Sequence, residues 1–233
     1  MDALILNSGM GTRMGDLTAN HPKCMTILKE NETILSRQLK LLEQNGVKDI
    51  VMTTGLFDKI LVDYCHSLSL SLKYTFVKNT IYDQTNYIYS IYLAREYLHN
   101  DIILVHGDLV FENSVFEEML SYSKSCMAIS STNILPPKDF KAVIENGMIK
   151  KIGIEFFDNA VAAQPLYKLN SKDWMVWLKK IISFCENGQT SCYAENAFNE
   201  VSDRCSLYPI DFKEKLCAEI DTKEDLSLIR KKL

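Results

Sequence analysis

The chain has 233 residues, 47% of them hydrophobic and 24% charged, which suffices for one sizeable globular core. A net charge of −4 leaves no basic surplus to neutralise phosphates and so argues against a nucleic acid as the main partner. Seven cysteines (Cys24, Cys65, Cys126, Cys185, Cys192, Cys205 and Cys217) form no CxxC pair and are odd in number, indicating neither a zinc site nor a disulfide framework.

The N-terminus runs directly into Ala3-Leu4-Ile5-Leu6, a continuous apolar run expected of a strand buried on both faces. It has no basic leader region, and no later stretch has the apolar length of a membrane span. A cytoplasmic chain with no membrane partner is therefore expected. A polar, glycine-rich loop covers residues 7–23. In residues 33–45, Ile34, Leu35, Leu39 and Leu42 form a helical stripe that stops at Gly46. Asp49–Thr54 reads as a second buried strand, Phe57–Tyr64 as a helix and Leu72–Val77 as a third strand. Ile88–Leu98 has aromatic and aliphatic residues at helical spacing, and Asp101–His106 is a fourth apolar strand ending at Gly107-Asp108. This alternation predicts an α/β fold: a Rossmann-like, mostly parallel mixed sheet with helices on both faces. Ligands in such sheets lie beyond the C-terminal strand ends.

The second half is less regular. Lys141–Ile144 and Met148–Ile152 flank Glu145-Asn146-Gly147, a strong hairpin signal. Ser171–Cys185 is an amphipathic helix with Trp174, Trp177, Leu178, Ile181, Ile182 and Cys185 on one face. Thr222 suits an N-cap, with Glu224 and Asp225 in the first turn and Arg230, Lys231 and Lys232 in the last. No repeat, low-complexity segment or linker divides the chain, so a single domain with an inserted lobe is expected.

The strongest local signal is Asn7-Ser8-Gly9-Met10-Gly11-Thr12-Arg13-Met14-Gly15, followed by Pro22-Lys23. Glycines after a buried strand let backbone N–H groups approach a phosphate closely. Arg13 adds a bidentate phosphate partner and Lys23 a compact charge on a flexible stem. Met14 stands where a dinucleotide fingerprint needs glycine, and no Gly-Lys-Ser/Thr follows as a Walker loop requires. A plain glycine-rich turn remains the alternative.

Asp108 follows the fourth strand, where ligands bind, and Asp221 lies in Ala-Glu-Ile-Asp-Thr. Two carboxylates plus phosphate oxygens and waters suffice for Mg²⁺. Asp221 taken alone reads equally well as a cap before the last helix. No histidine is assigned a role, and no Ser or Cys is read as a nucleophile.

The run Gly-Met-Gly-Thr-Arg-Met-Gly with Pro22-Lys23, then Asp108, then Glu219-Ile220-Asp221-Thr222-Lys223-Glu224-Asp225-Leu226, resembles the signature of the nucleotidyltransferase superfamily that makes nucleotide-sugars and related activated metabolites. The resemblance covers almost the whole chain. It implies a nucleotide-diphospho-sugar transferase-like fold, with residues 1–135 as the nucleotide-binding half and 136–233 as the acceptor-binding half. By it Leu6, Asn7, Ser8, Gly9, Met10, Gly11, Thr12, Arg13, Lys23 and Gly107 would bind the nucleotide. Arg13, Lys23 and Asp108 would carry catalysis, and Asp108 and Asp221 would hold Mg²⁺.

Thr85-Asn86-Tyr87-Ile88-Tyr89-Ser90 stands where sugar-phosphate enzymes usually carry Gly-Thr-Ala. It is similar instead to the bacterial CTP-dependent branch acting on phosphocholine, aminoethylphosphonate or phosphoglutamine, whose products serve cell-surface polysaccharides. Asn86 and Ser90 then contact the base, or merely start a helix. Residues 163–168 and 192–197 resemble the acceptor region of that branch. Tyr167, Lys168, Tyr193, Glu195 and Asn196 are its candidates, with Glu195 facing an ammonium, a tyrosine ring beside a cation and Lys168 meeting the acceptor phosphate; each fits the core or rim as well. The implied reaction joins CMP from CTP to a small phosphate- or phosphonate-bearing acceptor and releases pyrophosphate. A homodimer is compatible with the resemblance. A UTP- or GTP-dependent sugar-1-phosphate enzyme and a silent nucleotide-binding domain are the rival readings.

Overall fold

The computed structural model describes residues 1–135 and 137–233; the expected boundary between the two halves falls at Pro136, outside the described residues. Strand β1 (Asp2–Leu6) is followed by 3-10 turns over Thr12–Thr18 and Lys23–Met25, a small hairpin β2 (Ile27–Lys29) and β3 (Glu32–Thr33), and helix α1 (Ile34–Gln44). Then come β4 (Asp49–Thr54), α2 (Asp58–Ser67), β5 (Lys73–Lys78), α3 (Tyr87–Ala94), β6 (Ile102–His106) and β7 (Leu109–Phe111). Helix α4 (Asn113–Ser121) leads to β8 (Cys126–Ser130), β9 (Lys141–Glu145), β10 (Met148–Gly153) and β11 (Ala160–Leu169). Helices α5 (Ser171–Glu186) and α6 (Ala194–Asn199), strands β12 (Tyr208–Asp211) and β13 (Cys217–Glu219), and helix α7 (Lys223–Lys232) complete the chain.

One nine-stranded sheet runs β10-β9-β11-β6-β1-β4-β5, with β8 and then β12 on the other edge of β11. β1, β4, β5 and β6 are mutually parallel, while β11 enters antiparallel to β6. The α/β alternation expected from the first half is therefore the architecture. The segments the sequence left irregular supply the antiparallel part. β11 went unread because Gln164-Pro165 interrupts it, and there its pairing with β8 shifts register between Ala163 and Tyr167, the irregularity a proline needs inside a sheet. The hairpin turn is where it was expected, with Asn146 and Gly147 both at positive φ (51° and 74°). β9, β10 and α6, in the region assigned to an acceptor lobe, continue the same sheet or pack on it.

Alternate side chains of the central strands feed two cores. Leu4, Leu6, Ile102 and Leu104 pack with α3, α5 and α6, whereas Ala3, Ile5, Ile103 and Val105 pack with α1, α2 and α4. A third, smaller core of Met14, Leu28, Ile34, Val110, Leu216, Ile220, Leu226 and Ile229 seats α7 beneath the glycine-rich loop. No helix among the described residues is long and apolar enough to cross a membrane.

Two cooperating caps fix elements that flank the crevice. Thr33 caps α1 by accepting from Ser36 N at 3.0 Å, and Thr222 caps α7 by accepting from Asp225 N at 3.1 Å. Asp225 returns bonds to the N–H groups of Thr222 (2.8 Å) and Asp221 (3.0 Å), so the cap also sets the backbone of Asp221. Thr222→Ala is expected to lower the free energy of unfolding by about 1 kcal/mol in urea titrations. An unchanged midpoint would show that α7 is held by its apolar face alone.

Candidate active site

The site is assembled by strand register. In the parallel pairing of β1 with β6, Leu6 lies beside His106, so the loops that leave both strands share one crevice. Gly107 N–H donates to Leu6 O at 3.0 Å. A Cβ on Gly107 would fall 1.6 Å from Asn7 Oδ1 and 2.9 Å from Leu6 O, so the two loops approach through a position only glycine fills. This crevice lies where β4 departs to one side of β1 and β6 to the other, the switch point at which open α/β sheets bind ligands.

Gly11 holds φ at 64°, with its Cα side 3.1 Å from the Lys23 Cβ if a methyl were added. That contact brings the stem of Lys23 against the glycine-rich loop. β7 and β13 form an antiparallel ladder with Glu219 opposite Leu109, and Ile220 N donates to Asp108 O at 3.0 Å. The ladder carries Asp221 to Asp108 from 113 residues further along the chain. Lys23 Nζ then lies 2.6 Å from Asp108 Oδ2 and 2.5 Å from Asp221 Oδ1, and Arg13 Nη1 lies 2.8 Å from Asp221 Oδ2.

Burial alone would pull the Lys23 ammonium below its ordinary value, but Asp108 and Asp221 outweigh it and hold it above. Asp108 is pushed up by burial, yet Lys23 and His106 keep it below the usual carboxylate range. Asp108 Oδ1 is buried without a partner. Two carboxylates therefore converge on one cation, and one of them keeps a spare buried oxygen. Hard divalent ions such as Mg²⁺ are commonly held by one or two carboxylates with phosphate oxygens and waters, a donor set that Asp108 and Asp221 fit.

Two connected cavities share Arg13, Asp108 and Asp221. One, of about 270 Å³, is walled by Leu6, Asn7, Gly9, Met10, Gly11, Thr12, Lys23 and Gly107. The other, of about 330 Å³, is walled by Asn86, Tyr87, His106, Asp139, Phe140, Tyr193 and Glu219. All of the expected loop residues except Ser8 line the first. Ser8 and Ser90 are buried and joined Oγ to Oγ at 2.7 Å, and Asn79 Nδ2 donates to Ser90 Oγ at 3.1 Å. Ser90, 0% exposed, thus supports the loop from beneath. Asn86 starts α3, capping it by accepting from Tyr87 N at 2.7 Å, and its side of the helix end lines the second cavity.

The acceptor candidates separate. Tyr193 stands in the cavity wall, 5.3 Å from Phe140 and 5.9 Å from Tyr87 between ring centroids. Tyr167 is 0% exposed, packs on Trp177 and donates to Glu195 Oε1 at 2.7 Å; it is core. Glu195 is 1% exposed behind the wall. Lys168 is not in the site. On β11 it lies opposite Ile103, toward the start of β6, and its ammonium is spent on the carbonyls of Tyr122 and Lys124. Asn196 is also elsewhere, accepting from Tyr193 N at 3.0 Å and lining a separate surface hollow with Gly188 and Gln189.

The sequence reading missed His106 and Glu219. His106 Nδ1 lies 3.3 Å from Glu219 Oε1, and His106 Nε2 is buried without a partner. The signal present in the sequence was proximity alone, since His106 and Glu219 precede Asp108 and Asp221 by two residues at the ends of β6 and β13. Burial, then the Asp108 charge, lifts the Glu219 carboxyl to about 7, while Glu219 outweighs burial and raises His106.

A family of MobA-like NTP transferase domains matches residues 3–137, more than half of the chain, and the chain belongs to that family. CMP-5'-(3-aminopropyl)phosphonate synthase of Streptomyces rubellomurinus is 29% identical over 58% of this chain, which spans only 21% of that protein. CTP:phosphoglutamine cytidylyltransferase of Campylobacter jejuni is 26% identical over 52% of this chain and 49% of that one. Choline-phosphate cytidylyltransferase of Streptococcus pneumoniae is 26% identical over 97% of this chain and 95% of its own length. A solved structure of CTP:phosphocholine cytidylyltransferase from Streptococcus pneumoniae superposes with a TM-score of 0.78 at 19% identity, covering 99% of this chain and 97% of that one. The chain thus belongs to the MobA-like NTP transferase domain family, shares the fold of that solved structure, and spans half or less of the length of the first two relatives.

Both groups of the His106–Glu219 pair bind protons more tightly in the folded chain than as free side chains. A raised carboxyl and a raised imidazole stabilise the fold at low pH and lose that contribution as pH rises. The free energy of unfolding is expected to fall between about pH 5 and pH 8, and a His106→Gln, Glu219→Gln double variant to lose much of that slope. Urea titrations across the range measure it; identical slopes would overturn the account.

Proposed function

We propose that this member of the MobA-like NTP transferase family is a Mg²⁺-dependent cytidylyltransferase. It joins CMP from CTP to a small acceptor that bears a phosphate or phosphonate at one end and a cationic amine at the other. The convergence of Arg13, Lys23, Asp108 and Asp221 on one crevice carries the reading. The triphosphate follows the glycine-rich loop, whose backbone N–H groups and Arg13 meet the β- and γ-phosphates. Lys23 leaves its carboxylates for the α-phosphate. Asp108 and Asp221 would hold Mg²⁺, which would supply charge neutralisation at the phosphate oxygens.

The acceptor oxygen is already an anion, so no strong general base is needed. The residues have to align two mutually repelling anions and absorb charge at the α-phosphate. Arg13 remains 62% exposed at the mouth of the crevice, placed to accompany the departing pyrophosphate.

The second cavity supports the amine. Tyr87, Phe140 and Tyr193 present rings to it, and Asp139 and Glu219 bring carboxylates alongside Lys138 and Arg13. A ring wall with carboxylates suits an ammonium through cation–π and Coulomb attraction. The relatives named for phosphocholine, phosphoglutamine and aminopropylphosphonate agree with this choice. On this reading residues 1–135 hold the nucleotide and 136–233 complete the acceptor side, in the cytoplasm and in service of a cell-surface polysaccharide.

The test is pyrophosphate release with each of the four ribonucleoside triphosphates against phosphocholine, phosphoethanolamine, aminoethylphosphonate, phosphoglutamine and glucose 1-phosphate. CTP with an amine-bearing acceptor is expected to dominate, and chelation of Mg²⁺ to abolish it. Lys23→Ala and Asp108→Ala are expected to lower kcat by about 10² to 10³ while circular dichroism stays native. Full activity in either variant, or preference for a sugar phosphate with UTP or GTP, would overturn the assignment.

A further inference from the structure

Glu195 is the one carboxylate among the described residues that is almost wholly buried, at 1% exposure, and it does not line the acceptor cavity. Its two oxygens are divided between two phenols. Oε1 accepts the Tyr167 O–H at 2.7 Å, and Oε2 accepts the Tyr87 O–H. Both tyrosines are held far above their ordinary range by burial and then by the Glu195 charge, so both remain donors. A buried carboxylate without such donors would be costly, and a hydrogen bond to an ionised acceptor is stronger than a neutral one.

The geometry gives this triad a direction. Tyr167 lies in the core on β11 and Tyr87 opens α3, with its ring in the cavity wall 4.7 Å from the His106 ring and edge-on to it. Glu195 itself rides on a fixed base. Trp177 Nε1 donates to Ala194 O at 2.8 Å, and Asn199 clamps Ile152 through both of its side-chain atoms, at 2.8 and 2.9 Å. Two residues earlier on the same segment, Tyr193 supplies the neighbouring part of the wall. A phenol whose hydroxyl is tied to a fixed carboxylate has the far end of its ring anchored, which restricts displacement of the ring within the wall.

We infer that Glu195 is a positioning residue for acceptor recognition: it sets the Tyr87 ring in the wall of the acceptor cavity without touching the acceptor. The inference rests on the acceptor reading of this cavity given above. It replaces the direct contact between Glu195 and a substrate ammonium that the sequence suggests, because Tyr87 and the buried position intervene.

Glu195→Gln keeps the side chain's size but cannot accept both phenols, and Tyr167→Phe removes one donor while leaving the ring. Steady-state pyrophosphate release is measured with CTP and phosphocholine, or with phosphoethanolamine if the native chain turns it over faster. Glu195→Gln is expected to raise the acceptor KM about tenfold, with the CTP KM and kcat changed less than about twofold. Tyr167→Phe is expected to shift the same constant less. An unchanged acceptor KM in folded Glu195→Gln, or an equal rise for CTP, would overturn the inference. A second readout needs no turnover. In a crystal structure of Glu195→Ala the Tyr87 ring is expected to leave its edge contact with His106 while Lys23 stays bonded to Asp108 and Asp221. A Tyr87 ring that has not moved would overturn the inference, whereas failure of the native chain to turn over any acceptor would sink only the functional reading.

Discussion

The parallel register of β1 with β6 is the constraint on which the site depends. With Leu6 beside His106, residues a hundred positions apart finish their strands at the same level, and their loops open into one crevice. The pairing is held from both faces, because successive side chains of each strand enter opposite cores. A slip of one residue would exchange the two cores and separate the loops. The register is thus enforced by hydrophobic burial distant from any chemistry.

Charge then closes what register brings together. Lys23, 13% exposed, stands between Asp108 and Asp221, which come from the end of β6 and the start of α7. Neither partner could be buried to this extent alone at tolerable cost, and each makes the other's charge affordable. On the proposed function, the same arrangement would keep the cationic and anionic groups ordered before a phosphate ligand arrives, lowering the reorganisation needed on binding. His106 and Glu219 lie directly behind this cluster and extend it into the second cavity.

The two cavities differ in physical character because different layers build them. Backbone and a glycine-rich turn make the first, which suits an anion that must be approached closely. Side chains of α3, the segment before α6 and the loop ahead of β9 make the second, an aromatic wall with carboxylates. One of its rings, Tyr87, donates its hydroxyl to the buried Glu195, which also accepts from the core residue Tyr167.

The sequence by itself determined the parts whose physics is local. Continuous apolar runs marked the buried strands, helical periodicity and the Thr222 cap marked α1, α5 and α7, and glycines with Arg13 and Lys23 marked the loop that walls the first cavity. It also carried Asp108 and Asp221 through their motif context. Only the tertiary structure decided which side chains share a cavity. Lys168 and Glu195 sit in segments that read as acceptor-facing, yet strand pairing turns Lys168 toward the carbonyls of Tyr122 and Lys124, and burial places Glu195 behind Tyr87. His106, Phe140 and Glu219 become neighbours through β6, β13 and a loop, with separations no local pattern encodes. Strand register and side-chain facing are non-local quantities, fixed by which residues two cores can bury together, and they exist only once the sheet has formed.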